Sequence, residues 1–152
     1  MTKKDAYMDA FERYAQRMNA KSMKWLFPGN TKYVDKKIKR FIKYFYIPVE
    51  WDTVMAFLDT TILHNSKEGI LVTTEGIFVK EPLEKMYFLD FAGIKEVGYH
   101  VEEEESYKET KTIEVIYEDG RVRRVLDYYF DQYLFVEFLK TAVELAKQDF
   151  DS

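Results

Sequence analysis

The middle of the chain, from about residue 60 to residue 127, consists of short runs rich in β-branched and aromatic residues, with a period near two. Such alternation is typical of half-buried strands. The links between the runs, such as Thr74-Glu75-Gly76 and Glu118-Asp119-Gly120, are too short for crossover helices, so the strands must pair antiparallel. The predicted strands are 60–64, 69–74, 76–81, 86–91, 94–101, 111–118 and 121–127.

Helical periodicity flanks this region on both sides. The spacing of apolar residues predicts helices over 5–22 and 32–46, which would form a hairpin across the breaker Pro28-Gly29-Asn30. It also predicts a short third helix over 49–58 and a last helix over 131–148. We therefore expect an α+β fold, in which an N-terminal helical hairpin precedes one strongly bent antiparallel sheet of about seven strands, capped by a C-terminal helix.

The charge of the chain divides near residue 47. Residues 1–46 carry 12 Lys and Arg against four Asp and Glu, whereas residues 47–152 carry 11 against 23. We therefore expect a basic N-terminal unit over 1–47 and a sheet unit over 48–152. Such asymmetry is typical of a basic arm for nucleic acid or anionic lipid, and it is equally expected of two parts of one protein that attract each other.

The second predicted helix carries the most suggestive cluster of charge, because aromatic residues are interleaved with its basic ones. Its candidate binding residues are Lys36, Lys37, Lys39, Arg40 and Lys43. In one interpretation they contact nucleic-acid phosphates or an anionic membrane surface. In the other they form a solvated face opposite the apolar stripe that packs this helix against the rest of the protein.

Motifs that carry chemistry are missing from the sequence. The chain has no Cys, which excludes disulfides and thiolate chemistry, and His64 and His100 have no second ligand at metal-binding spacing. The acidic run Glu102–Glu105 is typical of a solvated loop rather than a calcium site. We predict no catalytic residue, metal or cofactor. Without a signal-like or membrane-spanning apolar run, a cytoplasmic location is expected.

Residues 58–97 contain a run of the type Ser-Lys-acidic-Gly-apolar-apolar, then a Thr and a Gly-apolar pair, followed by an aromatic strand. The matching residues are Ser66, Lys67, Glu68, Gly69, Ile70, Leu71, Thr73, Gly76, Ile77, Phe78, Tyr87, Phe88, Leu89 and Phe91. This pattern resembles the first strands of bacterial pleckstrin-homology-like domains, and the resemblance covers about residues 50–148. It implies a binding or scaffolding module without catalysis. The Glu75-Gly76 link lacks the basic cluster of phosphoinositide-binding relatives, so that ligand is not implied.

The expected function is that of a non-catalytic interaction module that binds a protein partner. Edge strands of the sheet would accept a further strand, and some of the 12 Tyr, 12 Phe and two Trp would supply contact surface. The same ring-rich surface would also allow the chain to self-associate into a homo-oligomer. The alternative function is binding of nucleic acid or an anionic membrane surface through the basic N-terminal helices.

Overall fold

A computed structural model describes residues 2–18, 24–61, 66–103, 109–125 and 131–150. Within these ranges the chain forms three α-helices, seven strands and two short 3-10 turns, Trp51–Thr53 and Phe91–Gly93. The elements are α1 (Lys3–Met18), α2 (Lys32–Tyr44), β1 (Val54–Asp59), β2 (Gly69–Thr73), β3 (Gly76–Lys80), β4 (Tyr87–Asp90), β5 (Ile94–Glu103), β6 (Glu109–Tyr117), β7 (Val122–Val125) and α3 (Gln132–Ala146). The predicted α+β class, the antiparallel pairing and the C-terminal helix are confirmed.

The strands form two sheets rather than the one bent sheet that the sequence predicted. One sheet has the order β1-β2-β3-β4 and the other the order β5-β6-β7, and every pair is antiparallel. The two sheets separate at the 3-10 turn Phe91–Gly93, where the side chain of Asp90 accepts a hydrogen bond from Ala92 N–H. This capped turn redirects the chain, so β5 pairs with β6 instead of continuing the first sheet.

The prediction of a third helix over 49–58 is wrong. The single 3-10 turn Trp51–Thr53 leads directly into β1, and all six residues of β1 are buried. A strand covered on both faces loses the alternation that marks a strand in sequence, so its apolar residues resembled a helical stripe. The strand predicted over 60–64 is also displaced, because β1 ends at Asp59, and residues 62–65 lie outside the described ranges.

The two N-terminal helices do not form the predicted hairpin, because they pack in different places. In α1, Phe11 meets Phe138 of α3 with ring centroids 5.2 Å apart, whereas in α2 Phe41 lies 4.7 Å from Phe57 of β1. The segment between the helices explains the difference. Leu26 exchanges two backbone hydrogen bonds with Phe57, of 2.8 and 2.9 Å, which fixes this segment along the edge of β1.

The larger hydrophobic core lies between the two sheets, α1 and α3. At the start of α3 the Asp131 carboxylate accepts a hydrogen bond from Leu134 N–H at 3.1 Å, as expected of an N-cap. Phe135, Phe138 and Leu139 are then completely buried. The smaller core lies between α2 and the outer face of the first sheet, so side chains on both sides of residue 47 share it.

Candidate interaction surface

Helix α2 is amphipathic, and its apolar side is used entirely for docking. Thr31 caps the helix, because its hydroxyl accepts a hydrogen bond from Val34 N–H at 3.1 Å. Val34, Ile38 and Phe41 are buried against the outer face of the first sheet. Because this stripe is occupied, the opposite side of α2 faces solvent, and the five predicted basic residues lie on that side or on its flanks.

Lys37 lies on a flank and is committed to the protein itself. Its ammonium is 3.2 Å from a carboxylate oxygen of Asp59, and only 11% of the Lys37 side chain and 4% of the Asp59 side chain are exposed. Asp59 also accepts hydrogen bonds from the backbone and hydroxyl of Thr61, at 2.9 and 2.6 Å, and from Ser66 N–H at 3.1 Å. Lys37 therefore anchors α2 to the end of β1 and is not available to a partner.

The Asp59 carboxylate is ionised because its neighbours outweigh its burial. Burial alone would raise the pKa of Asp59, but the hydrogen bonds from Thr61 and the Lys37 ammonium lower that pKa below its ordinary value. The ion pair therefore holds α2 against the sheet at neutral pH.

Lys39 lies on the other flank and is partly engaged. Its ammonium sits over the ring of Trp51, 4.6 Å from the centroid, in a cation–π contact. Such contacts at exposed sites contribute about 0.5–1 kcal/mol. Lys39 therefore orients the 3-10 turn before β1 against α2, and its charge remains exposed to solvent.

The other three predicted residues, Lys36, Arg40 and Lys43, are exposed at spacings of i, i+4 and i+7, which places them in one row along α2. In the described part of the chain none of the three forms an ion pair or a side-chain hydrogen bond. Their donors are thus left to solvent or to a partner.

Two exposed tyrosines of α2 adjoin this row, and the sequence reasoning did not single them out. Tyr33 is 73% exposed and Tyr44 is 55% exposed. The two are eleven residues apart, which is three helical turns, and this spacing could have shown that they share the face of Arg40. We define the outer face of α2 as Tyr33, Lys36, Arg40, Lys43 and Tyr44.

The surface continues beyond α2, through a residue that follows the helix in the chain and through another that lies close to it in space. Tyr46 follows α2 with a positive φ of 52° and is 91% exposed. The ammonium of Lys67, which comes from the segment before β2, lies 5.8 Å from the centroid of the Tyr44 ring. Basic and aromatic groups from two parts of the chain therefore meet at this end of α2.

The remaining candidates from the sequence show no comparable arrangement. In the ranges that the structure describes, no group of three or more acidic or histidine side chains is placed to hold a metal ion. His100 lies 3.6 Å from a Glu114 oxygen and 3.4 Å from an Arg124 nitrogen, as part of a polar cluster on the β5–β7 sheet. His64 lies outside the described ranges.

Comparisons with known proteins give no family to which this chain could be assigned. No family model, curated protein or solved structure matches it. Within the described residues, none of the helices has the length and apolarity that crossing a bilayer requires. The outer face of α2 must therefore be interpreted from its own chemistry.

Proposed function

We propose that this chain is a non-catalytic interaction module that binds an acidic region of a partner protein through the outer face of α2. The observation that carries the proposal is the combination of three unpaired cations, Lys36, Arg40 and Lys43, with two exposed tyrosines on one rigidly docked helix. Tyr and Arg are among the residues most enriched at the energetic centres of protein interfaces.

The rigid docking of α2 favours binding because little order has to be created when a partner arrives. The ion pair between Lys37 and Asp59 and the packing of Phe41 on Phe57 hold the helix in place. Side chains that project from a fixed helix lose only their own rotamer freedom, about 0.5–1.5 kcal/mol for each long side chain.

The architecture also supports a PH-like fold for the rest of the chain, as the sequence resemblance implied. Four antiparallel strands, then three, are followed by a single helix packed across the sheets. The resembling run places Gly69 and Gly76 at the first positions of β2 and β3. In this proposal α2 covers the outer face of the first sheet and supplies the contact surface.

We prefer a protein partner to an extended polyanion because the part of the chain that follows α2 is strongly acidic. Residues 47–152 carry 11 Lys and Arg against 23 Asp and Glu, a strong negative excess. A nucleic acid or an anionic membrane that extends past α2 would come within about one Debye length, roughly 8–10 Å, of these carboxylates and be repelled. A limited acidic patch on a protein avoids that repulsion.

The experiment compares two triple charge reversals that change the net charge equally. One carries Lys36→Glu, Arg40→Glu and Lys43→Glu, and the control reverses three exposed lysines elsewhere, Lys85, Lys95 and Lys140. Partners of the wild type are captured from the host and identified. The proposal predicts that a partner with an acidic surface is lost from the first variant and kept by the control. Equal capture by both variants would refute it.

The alternative is binding of nucleic acid or an anionic membrane surface by the same face, which the interleaved tyrosines favour because their rings can stack on bases or lie at lipid headgroups. It is tested by titrating single-stranded DNA and phosphatidylserine vesicles at several salt concentrations. Binding that weakens steeply with salt and disappears in the α2 variant would favour this alternative. Sedimentation measures the oligomeric state of both variants, and this shows whether the acidic partner is a second copy of the chain.

A further inference from the structure

A cleft of about 520 Å³ opens between β4 and β7. Its volume lies within the range of sites that bind small molecules. Residues of both strands line it, together with Gly93 and the link between β6 and β7. Its lining contains tyrosines, arginines and acidic residues, and their arrangement indicates which kind of ligand the cleft can hold.

The cleft lies at an edge of the larger core, because its tyrosines and one arginine occupy core-facing positions. Tyr87 belongs to the larger core, and Tyr117 packs against it. Arg123 pairs with the buried Val115 across the sheet, and Val125, two residues further along β7, is completely buried. Residues two apart in a strand lie on the same face, so Arg123 is also on the core side of β7. An arginine therefore stands at the mouth of a recess lined by aromatic residues.

The guanidinium of Arg123 is held in place but has no anion. It lies over the ring of Tyr87, 4.4 Å from the centroid, and the Tyr87 hydroxyl donates to Glu81 at 3.2 Å. Among the residues that the structure describes, no carboxylate forms an ion pair with Arg123. Arg121 differs, because it is paired with Asp119 at 2.7 Å. A guanidinium held against a ring keeps its N–H groups for a planar anion, and a carboxylate accepts two of them at once.

The ring of Tyr117 has a fixed position between the two strands. Its hydroxyl donates to the carbonyl of Phe88 in β4 at 3.3 Å, and the guanidinium of Arg121 lies 5.0 Å from its centroid. Aromatic rings attract one another in offset or edge-on arrangements, in addition to what burial contributes. A ring that is already ordered loses little freedom when a second ring packs against it. The cleft therefore favours a ligand that carries an aromatic ring.

The carboxylates of the cleft restrict the charge of that ligand. Asp90, Glu118 and Asp119 line the cleft together with the two arginines. Because Arg121 and Asp119 neutralise each other, Arg123 is the cation that remains, and it faces two further carboxylates. A phosphate or a dicarboxylate would bring additional negative charge close to these carboxylates and be repelled. A single carboxylate needs one guanidinium, which Arg123 supplies.

We propose that this cleft binds a small aromatic monocarboxylate. Its carboxylate accepts two hydrogen bonds from the guanidinium of Arg123, and its ring packs against Tyr117. The cleft thus gives the interaction module a small-molecule site on its core-facing side. This site and its ligand differ from those of the outer face of α2, so either proposal can fail without the other.

The test titrates the full chain, by amide nuclear magnetic resonance, with four probes that share one ring system and differ in charge. Naphthoate carries the carboxylate, naphthamide is its neutral analogue, naphthylmethylamine is a cation, and naphthyl phosphate carries more negative charge. Arg123→Gln removes the guanidinium. Arg13→Gln is the matched control, because it makes the same change at an exposed arginine of α1 that does not line the cleft. Thermal unfolding confirms that both variants are folded.

The expected result is that naphthoate binds about tenfold or more tightly than each of the other three probes and shifts the amide signals of Tyr117 and Arg123. Arg123→Gln should weaken naphthoate by about tenfold and change naphthamide by less than about threefold, whereas Arg13→Gln should leave both within about twofold.

The contrast between naphthoate and naphthamide separates a charge that binds the ligand from a side chain that only shapes the cleft. The proposal is overturned if naphthoate does not bind, or if another probe binds as tightly. It is also overturned if Arg123→Gln weakens both probes equally or neither of them. In those cases Arg123 serves only as an inward-pointing charge that protects the edge of β7 from pairing with other chains.

Discussion

The ammonium of Lys37 lies 3.2 Å from the carboxylate of Asp59, and this nearly buried ion pair joins the middle of α2 to the last residue of β1. The two residues are distant in sequence, and the Asp59 carboxylate also accepts hydrogen bonds from Thr61 and from Ser66 N–H. Together with the buried stripe Val34, Ile38 and Phe41, the pair holds α2 on the sheet, and the resulting orientation decides which side chains of the helix face solvent.

Lys37→Met should lower the free energy of unfolding by about 3 kcal/mol, because it leaves the buried Asp59 carboxylate without its cation. Lys36→Met is the matched control, since Lys36 is the neighbouring residue and is exposed. Its effect should stay within about 0.5 kcal/mol. Urea unfolding at neutral pH measures both. Equal effects would show that the ion pair does not fix the helix.

Stability should depend on Asp59 at acid pH. Because the pKa of Asp59 is lowered in the folded chain, the unfolded chain takes up its proton first as the pH falls. An Asp in the unfolded chain titrates near its ordinary pKa of about 3.9. The free energy of unfolding should therefore decline as the pH falls below about 5. Asp59→Asn should give a shallower decline between about pH 5 and pH 2. The slope that remains is expected from Asp5 and Asp119, whose pKa values are also lowered. An unchanged slope would contradict the assignment.

Stability should also fall at alkaline pH because of Tyr7. Burial, followed by the carboxylates of Glu75 and Asp90, raises the pKa of Tyr7 to about 12. Below about pH 10 both states hold the proton, and above it the unfolded chain loses the proton while the folded chain keeps it. Tyr7→Phe retains the ring that stacks on Phe91 and should reduce the loss of stability between pH 10 and about 12. Chemical denaturation across this range measures the difference, and identical slopes for both proteins would refute the prediction.

Two strand glycines should respond differently to alanine. A methyl group at Gly76 would lie 2.6 Å from the Phe88 ring, whereas at Gly98 it would meet no atom within 4 Å. Gly76→Ala should therefore destabilise the protein by about 1–3 kcal/mol. Gly98→Ala should be neutral or stabilise by up to about 1 kcal/mol. Thermal unfolding of the two variants compares them, and similar losses would mean that β3 and β4 do not pack as described.

The sequence predicted the hairpins well, since their evidence is local. Alternation and turn residues placed β2 to β7 within a few residues of their observed bounds, and the helix predicted over 131–148 lies within two residues of α3 at both ends. β1 was missed because burial on both faces removed its alternation. The prediction of a helical hairpin was wrong because the bridge between Leu26 and Phe57 is a long-range contact without a local sequence signal.

The candidate surface was predicted only in part, because its outcome also depends on long-range contacts that have no local sequence signal. Five basic residues were identified by composition, but sequence alone could not show that Lys37 would meet Asp59 or that Lys39 would meet Trp51. Both contacts depend on where α2 docks. The exposure of Tyr33 and Tyr44 depends on it as well, because tyrosine is intermediate between the residue types that are mostly buried and those that are mostly exposed.

The docking of α2 on the first sheet underlies the proposed binding face, and nuclear Overhauser effects between aromatic protons measure it. The rings of Phe41 and Phe57 have centroids 4.7 Å apart, so strong cross-peaks between them are expected. Cross-peaks from Phe41 to Phe11 of α1, with none to Phe57, would mean that the helices form a hairpin. The outer face of α2 would then be a different set of residues.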